Sequence, residues 1–369
     1  MKCLRCYVPN LRLPGFIDSY KKTKIGNCLK IKSGQDQKGI SCENGKYNIY
    51  GTGGIIGTTN SFLYDKQSVG IGRKGTIDKP FFFDEPFWTV DTLFYSVIFS
   101  GYFPKYIYYL FQTINWKKYN SSTGVPSLTS STIESIDVFT PSFKEQCEIS
   151  KLLTLIDKQI EAQNKIIDKL ESLKIQIKEL IFNLGTIKRT ISDVLVENNK
   201  KSNIQDQYPV LSSTVKGLFL QSDYFDREVA SINNVGYKIV RKGQIIISPQ
   251  NLWMGNITYN DSFEHGIVSP SYKVFDIKEK YYKNYIYWLL TSKHSFFHYS
   301  LVSEQGASIV RRNLNYDSFL NIALPLCNEE QQKHISKLID SIEAKLKIEK
   351  RKLELLLNQK NYLLSNLFI

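Results

Sequence analysis

One segment of this 369-residue chain is written twice, and the repeat limits what the chain can fold into. Ile149-Ser150-Lys151-Leu152-Leu153 recurs as Ile335-Ser336-Lys337-Leu338-Ile339, an offset of 186 residues. Held without gaps, that offset pairs Ile156 with Ile342, Asp157 with Glu343, Leu170 with Leu356, Lys174 with Lys360 and Phe182 with Phe368. A proline opens each copy (Pro141, Pro325), followed by Glu145-Gln146 and Glu330-Gln331. Both copies read as coiled-coil helices. One seam runs Ile149, Leu153, Ile156, Ile160, Gln163, Ile167, Leu170, Lys174, Ile177, Ile181. The other runs Ile335, Ile339, Ile342, Leu346, Glu349, Leu353, Leu356, Lys360, Leu363, Leu367. The period is 3.5 residues, the spacing of a sustained apolar seam. Its polar interruptions fall at matching places, Gln163 with Glu349 and Lys174 with Lys360. Polar groups in a seam cost stability but fix register, so the helices are expected to pair with one another as an antiparallel coiled coil. A partner-facing seam, or two helices packing separately, is the alternative.

What precedes each helix repeats more loosely. Lys24-Ile25-Gly26 opens the first half and Arg189-Thr190-Ile191 the second. Short β-rich pieces follow, such as Ser68–Gly72 and Gly243–Ser248, broken by Gly, Asn and Ser. Aromatic stretches expected to be helical come next (Phe103–Asn115, Tyr281–Tyr299), then a glycine (Gly124, Gly306) and the proline that leads into the long helix. The expected architecture is α/β: two globular α/β domains alternating with two long helices, a pseudo-two-fold repeat. Its boundaries fall at 1–22 (N-terminal segment), 23–140, 141–185 (helical), 186–324 and 325–369 (helical).

Composition adds a partner class. Lys+Arg 48 against Asp+Glu 35 gives a formal charge of +13. Residues 141–183 are neutral and 328–369 carry +2, leaving +7 in residues 1–140 and +4 in 184–327. The excess sits in the globular parts, where nucleic acid could dock, while neutral mixed-charge helices suit each other or a protein. The most apolar stretch, Thr92–Phe103, has 12 residues without a charge, short of the roughly 20 that span a membrane. The N-terminus has no apolar core of a secretory signal, and six cysteines do not make a disulfide scaffold in a chain this long. A cytoplasmic protein is expected. Cys3 and Cys6 form a CxxC, but a structural zinc would draw on a second close pair, and Cys28 and Cys42 stand 14 apart. No metal is expected.

Several motifs mislead. Gly70–Gly75 matches GxGxxG, yet Pro80 stands where the dinucleotide-binding helix should begin. A tight glycine loop presenting Arg73, Lys74 and Lys79 to phosphate or a base edge fits better. His294 and His298 have an i,i+4 spacing without the glutamate of HExxH. Neither a phosphate loop, an aromatic tetrapeptide for gripping a flipped base, nor a nuclease signature occurs. The chain reads as a binder with no catalytic site of its own.

At this point the residues carry a specific resemblance. The run Tyr50–Gly57 (YGTGGIIG), then Ser68–Thr76 (SVGIGRKGT), then Glu85–Phe94 (EPFWTVDTLF), with Gly124–Leu128 and the duplicated helices, resembles the specificity (S) subunits of type I restriction-modification systems. The resemblance runs from about Lys24 to Ile369. The second domain departs from it in lacking the glycine-rich loop of the first. The resemblance implies a subunit that reads double-stranded DNA, one half of a split asymmetric target per domain, and holds two modification subunits. These would bring S-adenosylmethionine for adenine-N6 methylation, and restriction subunits would bring ATP and Mg. This chain itself is expected to bind no cofactor. DNA-contact candidates in the first domain are Tyr50, Thr59, Asn60, Arg73, Lys74 and Lys79. In the second they are Ser248, Gln250, Asn251, Gln305, Arg311 and Arg312, with Trp253 and Trp88 read as core. Gln and Asn can pair bidentately with adenine, and Arg with guanine. Two other readings are a stand-alone methyltransferase or nuclease, which would bind cofactor or act alone, and a coiled-coil scaffold, which would retain no DNA.

Overall fold

The computed structural model describes residues 7–224, 233–305 and 311–369. Cys3, Cys6 and Gly306 lie outside the described residues. Two compact units emerge: residues 1–164 with 351–369, and residues 165–350. Each long helix, Phe143–Leu184 and Glu329–Leu367, contributes one end to each unit.

The same frame is built in both units from different residues. In the first, a four-stranded antiparallel sheet has the order Leu29–Ser33, Leu93–Ile98, Ser68–Gly72, Phe81–Phe83. In the second, the order is Leu195–Glu197, Lys273–Ile277, Gln244–Ile247, Ile257–Tyr259. Each chain path inserts a hairpin after the first of these strands, Tyr47–Gly51 with Gly54–Thr59, and Leu211–Thr214 with Gly217–Leu220. A short parallel pairing then ties the hairpin down, through Trp88–Thr89 in the first unit and through Val210 with Ile267 in the second.

The strand Ser68–Gly72 is buried along its whole length. The β-rich reading of Ser68–Gly72 holds, and the glycine loop shrinks: Gly70 and Gly72 are strand residues, and the turn starts only at Arg73. Both are glycine because neighbours come too close for a side chain. A Cβ at Gly70 would lie 2.6 Å from the Phe83 ring, and one at Gly72 2.0 Å from the Thr76 carbonyl oxygen.

A helix covers each sheet. Pro104–Thr113 starts with proline, whose fixed φ suits a first turn. Its counterpart is Lys283–Leu290. Superposing the frames exposes a second gapless repeat, at offset 179: Tyr106/Tyr285, Ile107/Ile286, Tyr109/Trp288 and Leu110/Leu289, all buried. The helix expected over Tyr281–Tyr299 is instead two. Ser292 accepts from the Ser295 amide, capping a new helix at Lys293–Leu301 and ending the first.

Paired strands lead into the long helices: Lys21–Lys24 with Asp137–Thr140, and Ile187–Thr190 with Ala323–Leu326. Buried Gln146 donates from Nε2 to the Pro141 carbonyl at 3.0 Å, and buried Gln332 to the Cys327 carbonyl at 2.9 Å. The counterpart of Gln146 is therefore Gln332, not Gln331. Gln331 serves the helix start, exchanging side-chain and backbone hydrogen bonds with Asn328.

The helix ends run antiparallel within each unit. In the first, Ile149, Leu153 and Ile156 share a core with Leu363, Leu364, Leu367 and Phe368. In the second, Ile181 packs with Ile339, Ile342 and Leu346, flanked by half-buried Ile167, Leu170, Ile177 and Ile335. Ile160, Leu353 and Leu356 are half-buried, and Gln163 and Glu349 are buried. The seam lysines each meet an acid. Lys360 Nζ lies 2.7 Å from Asp157 Oδ1, and Lys174 Nζ lies 2.6 Å from Glu343 Oε1. The offset of 186 turns one pair into the other. Each acid also accepts from the aromatic helix above it. Tyr109 OH donates to Asp157 at 2.7 Å, and Trp288 Nε1 to Glu343 at 3.2 Å.

Candidate nucleic-acid interface

In both units the turn that leaves the central strand meets the segment preceding a short helix, a loop in the first unit and the strand Arg312–Leu314 in the second, and most of the basic and amide candidates gather there. In the first unit that turn is Arg73–Thr76. Arg73 N and Lys74 N donate to the Thr92 carbonyl at 2.7 and 3.2 Å. Gly75, at φ +89°, donates to the Pro126 carbonyl at 2.9 Å, and Leu128 N donates to the Arg73 carbonyl at 2.9 Å. Asn120 Oδ1 pins the partner loop by accepting from Ser122 N and Ser127 N at 3.1 and 2.9 Å. A third loop, the hairpin turn at Thr52-Gly53, stands against this pair: Thr52 Oγ1 would lie 3.6 Å from a Cβ at Gly75. Lys74 and Lys79 are exposed, and half-buried Arg73 lies 6.0 Å over the Phe94 ring. The one acid beside Lys79, Asp78, is bridged by Lys117 at 3.1 Å, which holds its carboxyl below the usual range.

In the second unit the corresponding turn is Ser248–Asn251. Ser248 N donates to the Asn256 carbonyl at 3.1 Å, and Arg312 N to the Gln250 carbonyl at 3.1 Å. The Arg312 guanidinium stacks 4.0 Å over the Trp253 ring. Among the described residues, neither its Nε nor the Asn251 Oδ1, both buried, has a hydrogen-bond partner. Unpaired buried polar atoms are costly, and a bound water or ligand is one way to supply the missing partner. The hairpin is tied in here too, since Ser213 Oγ donates to Asn256 Oδ1 at 2.8 Å and Asn256 Nδ2 to the Ser213 carbonyl at 3.1 Å. Gln250 and Arg311 are exposed and Ser248 is half-buried. Gln305 pairs by its backbone with Arg312, while its side chain lies outside the described residues.

Three first-unit candidates are elsewhere. Thr59 is 1% exposed, and its hydroxyl accepts from Ser61 N, so it serves the hairpin base. Asn60 is exposed but accepts from Lys46 N at the same base. A strand as long as Gly54–Thr59 puts them roughly 17 Å from the hairpin turn. Tyr50 is half-buried against Phe83 and Phe81, with ring centroids at 4.9 and 6.3 Å. Trp88 is core, donating from Nε1 to the Gln35 carbonyl at 3.0 Å. Trp253 is half-buried and serves as the Arg312 platform, which corrects its core reading.

Sequence reasoning missed the hairpin tips. Ile55 and Ile56 are 59% and 51% exposed, and Val215 is 62% exposed. The signal was present in YGTGGIIG, an apolar pair with no polar residue between two glycines. His294 stacks on Phe182 at 4.4 Å with Nε2 3.3 Å from Glu179. Among the described residues no group of three His, Cys, Asp or Glu side chains could hold a metal ion. No helix among them is long and apolar enough to cross a membrane.

Residues 18–172 match the family described as the type I restriction modification DNA specificity domain. The S subunit of a type I restriction-modification system from M. genitalium is similar in fold, with TM-score 0.67 at 17% identity over 98% of this chain and 99% of that one. A chain from a structural study of complex assembly and conformational transition in a type I R-M system has TM-score 0.53 at 10% identity, over 97% and 98% of the two chains.

Proposed function

We propose, from the match of residues 18–172 to the type I restriction modification DNA specificity domain, that this chain is the DNA-reading subunit of such a system. It binds a bipartite, asymmetric duplex target, one half-site per unit. It recruits two modification subunits, which bring S-adenosylmethionine and methylate adenine N6, and restriction subunits, which bring ATP and Mg. It contributes no catalytic group.

The observation that carries this reading is the repeated interface. Both units place the turn after the central strand against the segment before a short helix, yet fill it differently: Arg73, Lys74 and Gly75 against a loop in one, Ser248, Gln250 and Asn251 against the strand that starts at Arg312 in the other. One frame with two contents suits two different half-sites. Arg312, set 4.0 Å over the Trp253 ring, is the candidate guanine reader of the second unit. Arg73, Lys74, Lys79 and Arg311 supply phosphate contacts, which position the duplex and make binding salt-dependent.

The test is co-expression with the modification subunit and mapping of methylated adenines by single-molecule sequencing. Two short half-sites around a fixed gap support the reading. A continuous palindrome refutes the two-reader arrangement, and a stable complex that neither binds nor methylates DNA refutes DNA reading.

A further inference from the structure

We infer that the hairpin tips, Ile55-Ile56 in the first unit and Val215 in the second, are apolar wedges that enter the duplex and part a base step in each half-site. This rests on the DNA-reading function proposed above. Three observations carry it. Exposed isoleucines side by side are unfavourable in water, and adjacent strand residues point to opposite faces of the hairpin. The tip is therefore apolar on both sides. A groove floor or one thymine methyl would cover a single face, whereas base pairs above and below an inserted tip cover both.

Second, the tip stands within the basic rim. Thr52, in its turn, abuts Gly75, which directly follows Arg73 and Lys74, so phosphates held there bring the bases to the isoleucines. Third, the second unit has a hairpin in the same place, whose turn carries one exposed apolar residue, Val215, beside exposed Lys216. Its hairpin turn, Val215-Lys216, likewise ends on a glycine at positive φ, Gly217 at +134° against Gly54 at +121°. It too is tied to the reading turn, through Ser213 and Asn256. Proteins that unstack DNA use Ile, Leu, Met, Phe or Pro in this way, and the opened step lets the duplex bend onto more protein surface.

The experiment uses the full chain without modification subunit or S-adenosylmethionine, so that no adenine is extruded by a methyltransferase. The probes are duplexes enriched from a random pool by the wild-type chain, with 2-aminopurine placed at successive positions. Its fluorescence rises when stacking is lost. The expected result is a rise at one step in each half-site. Ile55→Ser with Ile56→Ser abolishes the first rise and leaves the second, while Val215→Ser does the reverse. Each change weakens binding on the order of tenfold. These positions are exposed, so the variants keep their fold, checked by an unchanged melting temperature. A sequence-enriched pool with no rise in the wild type, or a rise that survives the serine variants, overturns the wedge and leaves DNA reading standing. A pool that enriches no sequence overturns both.

Discussion

Reversing Lys360 tests whether the paired ion bridges hold the helix ends in register. The Lys360–Asp157 pair is mostly enclosed, with side-chain exposures of 18% and 29%, and Lys174–Glu343 is more open at 23% and 43%. At such distances and an effective dielectric near 20, the gross attraction is about 4–6 kcal/mol. Desolvation and side-chain ordering remove most of it. The net worth then falls between the 0–1 kcal/mol of surface pairs and the 3–5 kcal/mol cost of breaking buried ones, at about 1–2 kcal/mol. Lys360→Glu loses that and sets two carboxylates together, for a total cost of about 2–3 kcal/mol. In a unit of this size the melting transition should drop by roughly 4–10 °C. Lys360→Glu with Asp157→Lys restores the bridge in the opposite sense and should recover all but about 1 kcal/mol, because Tyr109 loses its carboxylate acceptor but keeps Thr154 Oγ1 at 3.2 Å. A slip of one heptad would set Lys174 against Lys350 or Ser336, and Lys360 against Asn164 or Ser150. Only the observed register gives both lysines an acid. Thermal denaturation followed by circular dichroism, for both singles and the double, decides the matter. A single reversal within about 0.5 kcal/mol of wild type, or a double no more stable than the singles, refutes the reasoning.

Other consequences follow from neighbouring groups. Burial pushes the Lys178 ammonium down to about 8, with Lys174 adding to the shift. Between that value and the unfolded value near 10.4 the unfolded chain holds a proton the folded chain has lost, so this group makes stability rise with pH and imposes its full penalty at pH 7. Lys178→Met, though it gives up a 2.7 Å hydrogen bond to Thr291, should stabilise by about 1–2 kcal/mol at pH 7, with the gain shrinking at pH 9.5 in urea titrations. Gly72→Ala drives a Cβ into the Thr76 carbonyl and should cost about 3 kcal/mol or more, seen as a lowered urea midpoint; an unchanged midpoint would mean the turn can yield. Arg312→Ala should relax base preference at one position of one half-site by about 1–3 kcal/mol, leaving the other half-site unchanged in pool selection; uniform loss at both would mark it as a phosphate contact.

What was legible in the sequence was what two long helices must do. A 3.5-residue seam kept through two copies, with lysine at the same place in each, implies a paired structure before any contact is known, because burial imposes that period. The lysines' partners were half legible: Asp157/Glu343 was visible as a conservative pair, but only the antiparallel geometry shows that each acid faces the other helix's lysine. The globular frames were legible as strands and turns followed by an aromatic helix, but not the repeat that relates the two helices. Tyr106-Ile107-Tyr108-Tyr109-Leu110 and Tyr285-Ile286-Tyr287-Trp288-Leu289 stand at offset 179, not 186, since the chain between helix and seam is seven residues longer in the second unit. That helix kept its sequence because it lies against sheet and seam at once, where Tyr106 and Tyr285 are fully buried and Tyr109 and Trp288 hold the seam acids. The hairpin tips carry few contacts that demand a particular side chain, so GGIIG and TVKG do not look alike, although both end a hairpin turn at a positive-φ glycine. Gly70 and Gly72 could be read both as part of a β-rich piece and, through GxGxxG, as part of a loop; in a crowded central strand glycine marks the closeness of a ring and a carbonyl. The residues hardest to read were thus the outward-facing ones, since burial constrains a sequence in a way that exposure to a ligand absent from the fold does not.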